Sequence, residues 1–157
     1  MQHRDYTVGW VCALPTERAA AVGMLDNRHD ELPQPPHDQN VYTLGRIGAH
    51  NVVIACLPAG VTGTTSAAIV ATQMLSTFTS IRFGLLVGIG GGVPSQESNI
   101  RLGDVVVGKP SGTSGGVIQY DFGKTVQEGR FVRTGSLNRP PDVVLNAVAG
   151  LQAKHIL

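Results

Sequence analysis

Glu17 is a single carboxylate that follows directly on a short apolar run, residues 7–13 (TVGWVCA), and the turn Leu14-Pro15-Thr16. The run reads as a buried strand, Thr16 as an N-cap, and residues 17–25 (ERAAAVGML) as an Ala-rich helix packed on a sheet. A carboxylate in the first turn of such a helix is kept ionised by the helix dipole and can face a cleft as a proton acceptor. On spacing alone, a helix acid standing in solvent is the simpler reading. Asp104, after Gly103, could be directed at a ribose, but an Asp between a turn and a strand more often fixes the turn through backbone hydrogen bonds.

Two glycine-rich segments supply the other chemistry. Residues 58–63 (PAGVTG) follow the apolar run 51–57, and residues 88–92 (GIGGG) follow the apolar run 81–87. Glycines there let backbone N–H groups approach an anion or a sugar hydroxyl without a Cβ in the way, although either segment alone is equally well read as a tight turn. Neither is a dinucleotide or P-loop fingerprint, since the second lacks the last glycine of GxGxxG and no GxxxxGK[ST] occurs. The five histidines are scattered, Gly-x-Ser-x-Gly is absent, and Cys12 and Cys56 lie in apolar runs as small core residues. No metal and no cofactor are expected.

The elements that must position these residues form strand, turn and helix units. Residues 41–47 and 51–57 are two β-rich runs joined by Gly48-Ala49-His50, the spacing of a hairpin. The second is nearly all apolar and so belongs inside the sheet. Residues 64–77 form a helix, 81–87 a buried strand, 95–99 a polar loop, and 105–108 (VVVG) a further strand ended by Pro110. Residues 26–40, with three prolines, read as a surface loop. Further short strands are expected over 115–122 and 129–134, and Pro140-Pro141-Asp142 opens a last helix to about residue 156. Three of the turns leave the C-terminal ends of strands, which is where ligands collect in open α/β sheets.

The composition fits a small neutral ligand. Twelve Lys and Arg stand against eleven Asp and Glu, so no net field draws the chain to nucleic acid or to an acidic membrane. The polar start is unlike a secretory signal, and no apolar stretch reaches the roughly 18 residues of a membrane helix. A cytoplasmic protein is the default expectation.

Taken in order, the segments TVGWVCALPTE, YTLGRIGAHNVVIA, PAGVTG with its Ala-rich helix, LLVGIGGGV and RLGDVVVG resemble the purine nucleoside phosphorylase and uridine phosphorylase superfamily. Within it, the chain is most similar to the nucleoside phosphorylase-like domain of fungal multidomain proteins, often set before NACHT, NB-ARC or ankyrin regions. The resemblance covers almost the whole chain and makes residues 1–157 the N-terminal part of a single such domain. It implies a three-layer α/β/α fold around a mixed central sheet, and assembly as a homo-oligomer.

The implied activity is cleavage of the N-glycosidic bond of a purine nucleoside, with phosphate attacking the ribose C1′ in phosphorylases and water in nucleosidases. By this resemblance Glu17 falls on the nucleosidase glutamate that activates water. Gly60 and Val61 fall in the turn bordering the ribose and nucleophile, and Ile89, Gly90 and Gly91 in the segment lining base and ribose. Several phosphorylases carry a phosphate-binding arginine two residues before the first glycine of that segment; Leu86 stands there instead, which favours hydrolysis. Ile89 also departs from a family position that is often small or hydroxylated. The family's later ribose-binding Met-Glu pair and purine-protonating Asp would lie beyond Leu157. A nucleoside-binding or oligomerising signalling module without turnover is the alternative reading, and an inactive partial copy a third.

Overall fold

The central strand is apolar on both faces. In the computed structural model, which describes residues 1–95 and 98–156, β1 (Val8–Cys12) is buried at every position. Such a strand needs cover on both sides, and its side chains divide by the two-residue period. Val8, Trp10 and Cys12 pack with Val52, Ile54 and Ala21 on one face. Val11 packs with Val53, Ala55, Val70, Met74 and Phe78 on the other. Ala21 belongs to helix α1 (Pro15–Gly23), whereas Val70 and Met74 belong to helix α2 (Thr64–Thr77). The two helices therefore cover opposite faces, giving three layers. Each fully buried Val or Ile of this core, such as Val53 and Ile54, contributes about 1.5–3 kcal/mol of transfer free energy.

The sheet is mixed and five-stranded, in the order β2-β3-β4-β1-β5. Here β2 is Asn27–Arg28, β3 Thr43–Ile47, β4 His50–Cys56 and β5 Phe83–Leu86. β3 and β4 form the expected antiparallel hairpin, with Ile47 opposite His50. β1 runs parallel to both β4 and β5.

The chain divides into two compact units, Met1–Gly91 and Gly92–Leu157. The first holds the sheet just described. The second holds a two-stranded antiparallel hairpin of β6 (Gly123–Thr125) and β7 (Phe131–Arg133), and helix α3 (Asp142–Ile156). The expected last helix is thus present over nearly its full predicted length.

Several expectations need correction. Helix α1 starts at Pro15 with Leu14, not Thr16, as N-cap. Proline at the first helical position has its φ preset and no N–H to leave unpaired, so it opens the helix two residues earlier. The strand expected over 81–87 is shorter and is not buried: β5 ends the order of the described sheet, and its residues alternate between half-buried and exposed. Residues 105–108 form no strand, and Val105, Val106 and Val107 are exposed. β-propensity describes fit to a pleated surface, and no neighbouring strand supplies one there. The strand over 115–122 is likewise missing, with a single bridge between Ser111 and Ser114 upstream of it. Residues 96 and 97 of the polar loop 95–99 lie outside the described residues.

Candidate functional site

Because β4, β1 and β5 are parallel neighbours, their C-terminal ends meet at one edge of the sheet. Cys12 is in register with Cys56, and Val11 with Leu86. The ladder continues one step beyond the strands: Leu57 N–H donates to the Cys12 carbonyl at 3.0 Å, and Val87 N–H to the Val11 carbonyl at 3.2 Å. The chain leaving β1 enters α1 on one face, while the chain leaving β4 enters α2 on the opposite face. Divergence of two adjacent parallel strands in this way makes a topological switch point at their carboxyl ends, the usual ligand position in α/β sheets.

Glu17 stands at that edge. It is the third residue of α1, and its Oε2 accepts from Leu14 N–H at 2.9 Å, the acidic half of a capping box. The same oxygen accepts from Ala13 N–H at 2.8 Å. Its Oε1 reaches the neighbouring strand's loop and accepts from Ile89 N–H at 2.7 Å. The side chain is buried, with only 9% of the residue exposed. The Ile89 and Leu14 N–H groups hold the carboxyl below the usual glutamate range, against the opposing effect of burial, and Ala13 N–H adds to the lowering. An ionised carboxylate offers about four lone-pair positions. Three are taken by backbone donors, which leaves one on Oε1 without a partner among the described residues.

Two thiols, a guanidinium and a glycine lie near the carboxylate. Burial pushes the Cys12 and Cys56 thiols up, and Glu17 adds to that push while Arg18 opposes it. Arg18 itself is engaged, donating from Nη2 to Thr43 Oγ1 at 3.1 Å. Gly88, two residues beyond β5, lies against the carboxylate: a Cβ built there would stand 2.7 Å from Glu17 Oε1.

The structure joins Glu17 to Ile89 through a hydrogen bond and brings Gly60 and Val61 to the same sheet edge without a bond between them and Glu17 among the described residues. Gly60 has φ +77°, in the turn where Val61 N–H donates to the Pro58 carbonyl at 3.0 Å. Only glycine takes that conformation at no steric cost. Ile89, Gly90 and Gly91 are exposed, with Ile89 at 77%. The segment thus presents open backbone at this sheet edge rather than a packed wall.

Over residues 7–154 the chain matches the Phosphorylase superfamily. It belongs to that superfamily. Among relatives of this superfamily chain, a nucleotide-binding leucine-rich repeat (NLR)-like protein of Hyaloscypha variabilis is 55% identical over 154 residues, 98% of this chain and 15% of the relative. The 5'-methylthioadenosine/S-adenosylhomocysteine nucleosidases of Mycobacterium bovis and Mycobacterium tuberculosis are each 31% identical over 127 residues, 78% of this chain and 41% of theirs. The chain therefore spans less than half the length of these relatives. No solved structure matches it.

Other polar residues of this superfamily chain are engaged in structure. Asp104 Oδ2 accepts from Arg101 N–H at 2.8 Å and so closes its own turn, the reading favoured from spacing. Asp38, inside the proline-rich stretch read as surface loop, is instead buried. It accepts from Asn40 N–H, Tyr42 hydroxyl and Thr77 hydroxyl. This network ties the loop to the end of α2, beside a cavity of about 220 Å³ walled by His3, Leu32, Tyr42, Leu44 and Phe78. Sequence reasoning missed Asp38, for which there was no signal, and read Gly88 only as one of the glycines of segment 88–92, without its contact to Glu17.

Proposed function

We propose that Glu17 orients and deprotonates a water that attacks the C1′ of a purine nucleoside, so that the chain belongs to the hydrolytic branch of its superfamily. The observation that carries this reading is a buried carboxylate held by three backbone N–H groups, with one lone-pair position left, at the edge where the β1, β4 and β5 turns converge. In this reading Gly60 and Val61 border the ribose, while Ile89, Gly90 and Gly91 line ribose and base through their backbone.

As the C1′–N9 bond breaks, its electron pair leaves with the base, which takes up a proton from solvent, while Glu17 returns the water's proton to solvent after the step. The ring carbon becomes oxocarbenium-like, and the water oxygen forms the new bond. A water bonded to such a carbon sheds its proton readily, so a carboxylate of lowered basicity suffices to take it. Leu86 in place of an arginine leaves phosphate without a bidentate partner, and the Glu17 charge opposes a phosphate anion nearby. Similarity to methylthioadenosine/S-adenosylhomocysteine nucleosidases supports water as the attacker.

The experiment is incubation with adenosine, 5'-methylthioadenosine and AMP, followed by chromatography for free base. Release by the folded chain supports the reading, and its absence from all three counts against turnover. A second reading is favoured by the 55%-identical relative, of which this chain spans 15%: a nucleoside-binding module of a larger protein. Calorimetric binding of nucleoside without base release would select it. The family match runs through both compact units, which supports treating residues 1–157 as part of one nucleoside phosphorylase-like domain; self-association, implied by the family, is read by light scattering.

A further inference from the structure

We infer that Gly88 is a positioning residue for Glu17, the bare backbone seat that lets the carboxylate reach across the sheet edge to Ile89 N–H. A Cβ at position 88 would stand 2.7 Å from Oε1, 3.0 Å from Cδ and 3.2 Å from Oε2 of Glu17, and it would meet nothing nearer. Carbon atoms do not approach a carboxylate oxygen at 2.7 Å, so any side chain at 88 moves the acid. The backbone itself does not demand glycine, because Gly88 is not among the positive-φ residues. The atoms in the way are the far end of one flexible side chain, which turns aside more cheaply than backbone. The chain therefore keeps its fold when Gly88 gains a methyl group, and loses the arrangement of Glu17.

The consequence is specific to one of the three hydrogen bonds. The Ala13 and Leu14 N–H groups hold Oε2 from within the same turn, whereas Ile89 N–H holds Oε1 from the neighbouring strand's loop. Displacement by a Cβ at 88 falls first on Oε1, the oxygen with the remaining lone pair. Gly88 thus fixes where that lone pair points. Its catalytic consequence rests on the hydrolytic reading above, while the seating of the carboxylate does not.

The test compares G88A with wild type and with G84A, a control on the preceding strand β5 where an added Cβ meets nothing within 4 Å. The Glu17 carboxyl is titrated by carbon-13 NMR. The other ionisable groups facing it are Cys12 from β1, Cys56 from β4 and Arg18 from α1. Thiols with raised pKa values stay protonated through the acid range, so the midpoint reports Glu17 alone. In G88A that midpoint rises toward the ordinary glutamate value, since the Ile89 bond is the largest cause of its lowering; in G84A it stays at the wild-type position. On an E17D background, where the carboxylate is one methylene shorter, G88A changes the midpoint little.

If the wild type releases base, G88A lowers kcat by about 10- to 100-fold with KM within about threefold, the pattern of a misplaced group rather than a lost binding contact. A folded G88A with a wild-type Glu17 midpoint overturns the inference. Should G88A fail to fold, E17D/G88A recovers the fold if the Glu17 side chain is what the methyl meets; failure of both overturns it. Wild type that binds or releases nothing, with the midpoint shift intact, defeats the hydrolytic reading and leaves the seat established.

Discussion

Two buried carboxylates in the first unit are held by contrasting partners. Asp38 is closed in by side-chain hydroxyls from Tyr42 and Thr77 and by Asn40 N–H, all within the packing of the proline-rich loop against α2. Glu17 is held by backbone N–H groups alone, two from its own turn and one from the neighbouring strand's glycine segment. Burial and a lowered pKa are common to both. What separates them is what lies beyond the hydrogen bonds: Tyr42, Thr77 and Asn40 stand between Asp38 and the neighbouring cavity, which Asp38 does not line, whereas beside Glu17 there is open backbone at residues 89–91. A buried acid becomes a candidate for chemistry when its donors leave a lone pair facing space that a ligand can fill.

Breaking each acid should therefore have opposite signatures. E17Q is expected to lower purine release by about 10²- to 10⁴-fold, the usual worth of a general base, as measured by chromatography of free base. D38N is expected to leave release unchanged and to cost about 1–3 kcal/mol in urea denaturation, because the Tyr42 and Thr77 hydroxyls lose a charged acceptor. Equal loss of activity in both variants would erase the distinction.

Acid pH sharpens the comparison through stability. Both carboxyls titrate lower in the folded chain than unfolded, so each contributes stability that is complete above the ordinary carboxylate range, near pH 4, and is lost as pH falls through the folded value. Thermal melts between pH 6 and pH 2.5 should show a shallower acid decline in D38N than in wild type. An identical decline would mean that Asp38 is not held ionised by its hydroxyl partners. The smallest effect is expected for G60A, where a left-handed residue acquires a Cβ at a cost of about 1–2 kcal/mol. Nucleoside affinity by calorimetry should fall with it if the turn borders the ribose.

The same contrast shows how far the sequence could be read. β1, β4, α2 and α3 were legible because uniform apolar runs and Ala-rich periodic segments carry their own structural instructions. Glu17 was legible as a helix-start acid, but nothing in its spacing distinguished a solvent-facing residue from one bonded to Ile89, seventy-two positions away. Gly88 was hidden because its role lies in a close approach between two loops. Asp38 was hidden because prolines around it signal a surface loop, while the hydroxyl that buries it comes from the end of α2. The valine run at 105–107 misled for the converse reason: its local preference is for a strand, and pairing is decided by a neighbour that the run itself does not specify.

In the hydrolytic reading, the Glu17 carboxylate delivers water to a nucleoside C1′. The most direct measurement is the sugar product formed from 5'-methylthioadenosine by wild type and E17Q, each shown by calorimetry to bind it, in buffers with and without phosphate. Free methylthioribose from wild type in both buffers, with none from an E17Q that still binds, is the expected result. Methylthioribose-1-phosphate, or an E17Q that releases free sugar at the wild-type rate, would contradict it.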